Sequence, residues 1–133
     1  PVFVAQSIIN VREKKYRDVT KWWSIKPPNY EELLNLDFVE QVVKQVYYIE
    51  KQIITDLNRY VDKNRVAYIN YEELVHKDEY LLRELTEFIG DIQIKKNIPE
   101  LNLKNENIIK CDTSLFEKIK IEVNKLDWDD YTS

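Results

Sequence analysis

The chain has 133 residues, 44% hydrophobic and 33% charged, the balance of one globular domain with a core of its own. Its net charge is −4, with 20 basic and 24 acidic residues mixed along the sequence, which excludes a broad electropositive face for nucleic acid. A single cysteine (Cys111), a single histidine (His76) and a single glycine (Gly90) exclude an internal disulfide, a Cys/His metal cluster and a glycine-rich phosphate loop within these residues.

Residues 1–16 are expected to be helical. Pro1 suits a first helical position, where its missing N–H is not needed, and Val4, Ile8, Val11 and Lys15 fall on one stripe that is polar only at its end. Arg12, Lys14 and Lys15 are expected to form a solvated face. From Asp18 to Tyr30 the period is lost. Pro27-Pro28 stops any helix and drives Lys26 to an extended conformation, which leaves a loop carrying Lys21, Trp22, Trp23, Lys26 and Tyr30. The longest periodic segment, from about Asp37 to Val61, repeats Val39, Val42, Val43, Val46, Ile49, Ile53, Leu57 and Tyr60 at helical spacing. Asp37 with Glu40 resembles a capping box at its start.

Arg65–Asn70 reads as a short strand. A helix pattern from about Asp78 to Ile89 presents Leu81, Leu82, Leu85, Phe88 and Ile89, and Gly90 stands where a left-handed residue ends helices. Residues 91–112 read as irregular, with Pro99 among them. Ser114 to Glu117 fits a capping box for a last helix that buries Phe116, Ile119, Val123 and Leu126. One strand by itself leaves two edges of unpaired backbone groups. The expectation is therefore a sheet completed by upstream sequence or by another chain. No apolar run approaches the roughly 20 residues needed to cross a bilayer. No secretory pattern opens the chain, so a cytoplasmic location is expected.

Three stretches, in order, resemble the C-terminal half of sulfotransferases that use 3′-phosphoadenosine-5′-phosphosulfate. The first is Pro1-Val2-Phe3-Val4-Ala5-Gln6-Ser7, similar to the family's turn and helix whose serine binds the donor's 3′-phosphate; the family's arginine would lie two residues before Pro1. The second, Lys21-Trp22-Trp23-Ser24-Ile25-Lys26-Pro27-Pro28-Asn29-Tyr30, is similar to the variable acceptor-side loop. The third, Tyr68-Ile69-Asn70-Tyr71-Glu72-Glu73-Leu74-Val75 with the helix ending Glu87-Phe88-Ile89-Gly90, resembles the family's strand, Tyr-Glu-Asp-Leu turn and helix ending in Phe-Leu-Gly.

The likeness covers residues 1–90; the Arg-Lys-Gly segment of the cytosolic branch is absent. It implies an α/β fold, with residues 1–133 as the mostly helical C-terminal part of one P-loop-like, three-layer domain and one strand at about 65–70. The N-terminal phosphosulfate-binding part would lie outside this chain. It also implies Ser7 and Tyr71 as nucleotide contacts, Trp22, Trp23, Lys26 and Tyr30 as acceptor-loop residues, and sulfuryl transfer to a hydroxyl or amine. No catalytic residue and no metal ligand fall within the chain on this reading, so the chain by itself is expected to be inactive.

The residues also admit plainer roles. Ser7 fits an ordinary helix serine bonding a local carbonyl or facing water, and Tyr71 a half-buried aromatic at a strand end. Adjacent Trp22 and Trp23 in an extended loop face opposite ways, one toward the core and one toward a pocket. Glu72 and Glu73 point apart and so do not act as a catalytic pair; Glu72 braces the turn. Two other functions compete: a helical interaction module that docks a partner through its tryptophan loop, and, remotely, a tautomerase using Pro1 as a secondary amine ahead of an alternating strand.

Overall fold

The computed structural model describes residues 1–76, 78–90 and 103–128. They fall into two compact units, Pro1–Tyr60 with Ile108–Ser133, and Val61–Asn107.

The first unit is built on three helices. Helix α1, Val2–Asn10, follows Pro1 and runs without a break into a wider π-helical turn, Val11–Tyr16. Its buried side is Ala5, Gln6, Ile8, Ile9 and Arg12 rather than the stripe through Val4 and Lys15, for Val4 is about half exposed and Lys15 lies outside. A short helix α2, Tyr30–Leu33, follows the Pro27-Pro28 loop. Helix α3, Phe38–Tyr60, begins where expected: the Asp37 carboxylate accepts the Val39 N–H at 3.1 Å. Glu40 pairs with Lys44 at 2.7 Å, a surface ion pair one turn apart.

Helix α6, Thr113–Asn124, closes the core. Its cap is Asp112, two residues before the serine expected to do this. Asp112 accepts the Ser114 N–H at 2.8 Å and the Ser114 hydroxyl at 2.6 Å. A carboxylate accepts both bonds at once, and it also suits the positive end of the helix dipole. Ala5, Ile8 and Ile9 of α1, Val39, Val42, Val43 and Val46 of α3, and Ile119 and Val123 of α6 make the core. Each aliphatic side chain of this kind contributes about 1.5–3 kcal/mol when fully buried. Trp128 covers one end, donating to the Val123 carbonyl at 2.8 Å and meeting Tyr47 edge-on at 5.2 Å.

The Asp112 cap has a measurable consequence. Its bonds to Ser114 hold the carboxyl below its usual pKa. Stability from a carboxylate with a lowered folded pKa is complete above its unfolded pKa and is lost as pH falls through the folded one. Asp112→Asn, which keeps a capping side chain, should therefore flatten the acid limb of the stability curve while changing neutral-pH stability little. An unchanged acid limb in pH-dependent urea titrations would remove this role.

The second unit holds a 3₁₀ turn at Lys63–Arg65, capped by Asp62 through the Asn64 N–H, then the helices α4, Tyr71–His76, and α5, Asp78–Ile89. The expected strand at 65–70 is not formed. Val66 is extended, with φ −121° and ψ 122°, but residues 66–70 have no ladder, and no strand occurs among the described residues. β-Branched and aromatic residues favour an extended backbone there, yet a strand also needs a neighbour to take its N–H and C=O groups. The molecule as described is helical, without a sheet.

Asn70, read as the strand's end, is instead the cap of α4: its side chain accepts the Glu72 N–H at 2.9 Å and its carbonyl the Leu74 N–H at 3.0 Å. In α5, Leu81 is buried, Leu82 and Leu85 are half-buried, and Phe88 and Ile89 stay exposed. Gly90 ends the helix as expected, at φ +71°, with its N–H on the Thr86 carbonyl at 3.0 Å. The irregular segment expected at 91–112 is described only from residue 103, and Pro99 lies outside the described residues.

Candidate functional site

Ser7 lies in the second turn of α1 on the exposed side, in line with Val4. Its neighbours Gln6 and Ile8 point inward, and the Gln6 amide fastens the segment before α6, donating to the Ile108 carbonyl at 3.0 Å and accepting the Lys110 N–H at 2.8 Å. Among the described residues the Ser7 hydroxyl has no hydrogen-bond partner. It faces outward rather than folding back on a local carbonyl.

The expected acceptor loop is gathered around a residue that sequence reasoning had placed on the surface. Arg12 is fully buried. Its guanidinium donates to Gln41 Oε1 at 2.6 Å, to Gln45 Oε1 at 2.9 Å and, at 3.4 Å, to the Val19 carbonyl. It also lies 4.9 Å from the Trp22 ring centre and 5.7 Å from that of Phe38. Burial pulls its pKa down, and Tyr30 nearby partly offsets this. None of these partners is a carboxylate; amide dipoles and ring faces balance the charge.

The two glutamines then hold the loop with their other ends. Gln45 donates to the Trp23 and Ile25 carbonyls at 2.8 and 3.0 Å, and Gln41 to the Leu33 carbonyl at 2.9 Å. A signal for this cluster was present in the sequence. Arg12 follows Ile8 by four residues, and Gln41 and Gln45 interrupt the valine stripe of α3 one turn apart.

Three of the four expected loop residues meet, and Trp23 turns to the core. Trp22 meets Tyr30 edge-on at 4.6 Å, and the Lys26 ammonium stands 4.0 Å over the Tyr30 ring. Trp23 packs against the core cluster and lies 5.7 Å from Tyr16, with Lys15 above its ring at 5.4 Å. Lys21 stands 4.4 Å over Tyr16. Arg17 and Ser24, with φ of 53° and 74°, take the left-handed conformation that side chains avoid. Such a conformation costs on the order of 1 kcal/mol or more each and persists where surrounding bonds impose it.

Tyr71 belongs to the second unit, Ser7 and the loop to the first. The Tyr71 hydroxyl accepts the Glu106 N–H at 3.1 Å and donates to the Lys104 carbonyl at 3.3 Å, while 40% of the residue is exposed. Glu72 accepts from the Asn107 amide at 2.7 Å, so it ties α4 to this distant segment rather than bracing its own turn. His76 is exposed in the last turn of α4.

Burial, with Glu13 and Asp112 nearby, raises the Cys111 pKa. Among the described residues no three His, Cys, Asp or Glu side chains group as metal ligands, and no helix is long and apolar enough to cross a membrane. A shallow depression between α3 and α6, lined by Glu40, Val43, Lys44, Glu122, Lys125 and Leu126, holds none of the expected site residues. Its lysines are paired with its own glutamates. Compared with known proteins, the chain matches no family model, no curated protein and no solved structure.

Proposed function

We propose that this chain is part of a sulfotransferase, in which it holds the 3′-phosphoadenosine end of the donor and presents a loop to the acceptor. The reading comes from the ordered likeness of residues 1–90. The observation that carries it is Ser7: an outward hydroxyl without a partner among the described residues, in the second turn of a helix. A serine there joins the N–H groups and dipole of the helix start in holding a phosphate. The stretch at 66–70, which opens on an extended Val66 and has no ladder, suits an α/β sheet completed by residues other than these. Because the Tyr71 hydroxyl is engaged with its own unit, the part of Tyr71 left for an adenine is its ring face, where stacking is worth about 1–3 kcal/mol per base. On this reading neither residue lowers the barrier; contacts to the sulfuryl group and the base come from elsewhere.

The test is Ser7→Ala in the full-length protein, titrated calorimetrically with adenosine 3′,5′-bisphosphate. Binding should weaken severalfold with the melting temperature nearly unchanged. A large fall in melting temperature with unaltered binding would refute the role.

A second reading, a helical interaction module, is favoured by one observation: the first unit closes a core from α1, α3 and α6 without any strand. It requires that the full-length protein show no affinity for the bisphosphate. The tautomerase alternative needs an alternating strand after Pro1, and Val2–Asn10 is helix.

A further inference from the structure

Residues 103–110 form neither helix nor strand, and Ile108 and Ile109 among them are about half exposed. No ladder orders this stretch, and burial holds it only in part. It is gripped instead by side chains that lie far from it in sequence. At its first end the Tyr71 hydroxyl donates to the Lys104 carbonyl at 3.3 Å and accepts the Glu106 N–H at 3.1 Å. Glu72 accepts there from the Asn107 side-chain amide. At its second end the Gln6 amide donates to the Ile108 carbonyl at 3.0 Å. Its oxygen accepts the Lys110 N–H at 2.8 Å and the Cys111 thiol at 3.4 Å. The Lys14 ammonium donates to the Lys110 carbonyl at 3.2 Å. The first grip lies within Val61–Asn107, and the second within the unit that includes Ile108–Ser133. Along the chain, one peptide bond joins Asn107 of the first to Ile108 of the second.

We infer that residues 104–111 are a coupling strap whose two clasps, Tyr71 on α4 and Gln6 on α1, close cooperatively. The physical reason is the shortness of the link. Each residue has only two soft backbone torsions, and an extended chain covers at most about 3.6 Å per residue. Only Asn107 stands between Glu106, held by Tyr71, and Ile108, held by Gln6. So short a link does not let one end move freely while the other stays fixed. When the Tyr71 clasp opens, the segment that Gln6 holds gains freedom, and keeping that clasp closed costs more entropy. The same holds in the other direction. The two clasps also differ in exposure: Gln6 is buried and uses both ends of its amide, whereas Tyr71 stands partly in solvent. A change at the exposed clasp is therefore carried along the chain to the buried one. The strap does not depend on the function proposed above; it stands whether or not the Tyr71 ring meets an adenine.

The experiment is residue-resolved amide hydrogen exchange of the full-length protein, followed by NMR. Tyr71→Phe removes only the hydroxyl. Exchange should quicken at the Glu106 amide, which loses its acceptor. It should also quicken at the Lys110 amide, by about three- to tenfold, although the bond from Lys110 to Gln6 is untouched. The Ile119 amide, in the core helix α6, should stay within about twofold of the parent. Conversely, Gln6→Leu should quicken exchange at Glu106 by a similar factor. Gln6 is buried, so if that variant does not fold, Lys14→Gln at an exposed position gives a smaller change in the same direction. An unchanged Lys110 amide in Tyr71→Phe overturns the strap. Equal quickening at Ile119 does so too, since it marks loosening of the whole first unit. At Lys110 the double variant should show less than the product of the two single effects, because the clasp already lost cannot be weakened again. A full product there means the clasps act independently, and the inference falls.

Discussion

Replacing Arg12 by alanine should lower the unfolding free energy by about 3 kcal/mol. The loss has three sources. The Gln41 and Gln45 side-chain oxygens, which accept at 2.6 and 2.9 Å, would be left without a cation to face. A cavity would open against the Trp22 and Phe38 rings. The loop carbonyls held by the same glutamines would lose the fixed orientation of their donors. Arg12→Lys should recover only part of this, because an ammonium cannot span two amide oxygens and a carbonyl with a planar fork. Replacing the whole cluster with Met at 12 and Leu at 41 and 45 should cost far less than the alanine change, since it removes donors and acceptors together. Trp22, Trp23 and Trp128 all belong to the first unit, so tryptophan fluorescence in urea reports that unit by itself. A loss below about 1 kcal/mol in Arg12→Ala would show that water replaces the guanidinium without penalty.

Ile119→Ala should be comparably damaging, by about 3–4 kcal/mol. Ile119 is completely buried in the cluster that α6 closes with α1 and α3. Truncation removes three carbons from a close-packed site bordered by helices that cannot all collapse inward. Two residues along, Ile121 is 56% exposed and offers the internal control. Ile121→Ala should stay within about 0.5 kcal/mol of the parent. Ile119→Val, which deletes one methyl group, should cost about 0.5–1.5 kcal/mol. Equal losses at 119 and 121 would mean that α6 is not docked on this face.

Helical periodicity made most of the first unit readable. The valine stripe of α3 and the apolar residues of α6, like the stop at Gly90 in the second unit, follow from spacing and from backbone preferences that act locally. The misreadings arose where a local signal depends on a distant partner. Arg65–Asn70 has the composition of a strand, but a strand is completed by what lies beside it, and composition does not report that. Asn70 with Glu73 has the spacing of a helix start, and reading Asn70 as the end of a strand concealed it. Arg12 was assigned to the solvent with Lys14 and Lys15 because cations in a run usually belong there. Its burial depends on Gln41 and Gln45, about thirty residues away, and only the packing of α1 against α3 brings them into reach. The loop rings were legible as a group, since four aromatics and three lysines within the sixteen residues 15–30 must share a small surface. Which face each ring would offer was not, because adjacent side chains alternate only in a regular strand.

The π turn at Val11–Tyr16 takes up more chain per revolution than the helix it continues, and the Arg17 N–H returns to the Arg12 carbonyl rather than to the residue four back. The turn thus stores slack in the chain's length. A one-residue deletion there lets the turn tighten into ordinary helical winding, while an insertion or deletion between Ile8 and Asn10 would rotate every later contact by about 100°. A one-residue deletion after Arg12 should therefore be tolerated where one just before it, in α1, is not, because only the π turn can give up a residue and leave the helices beneath in register.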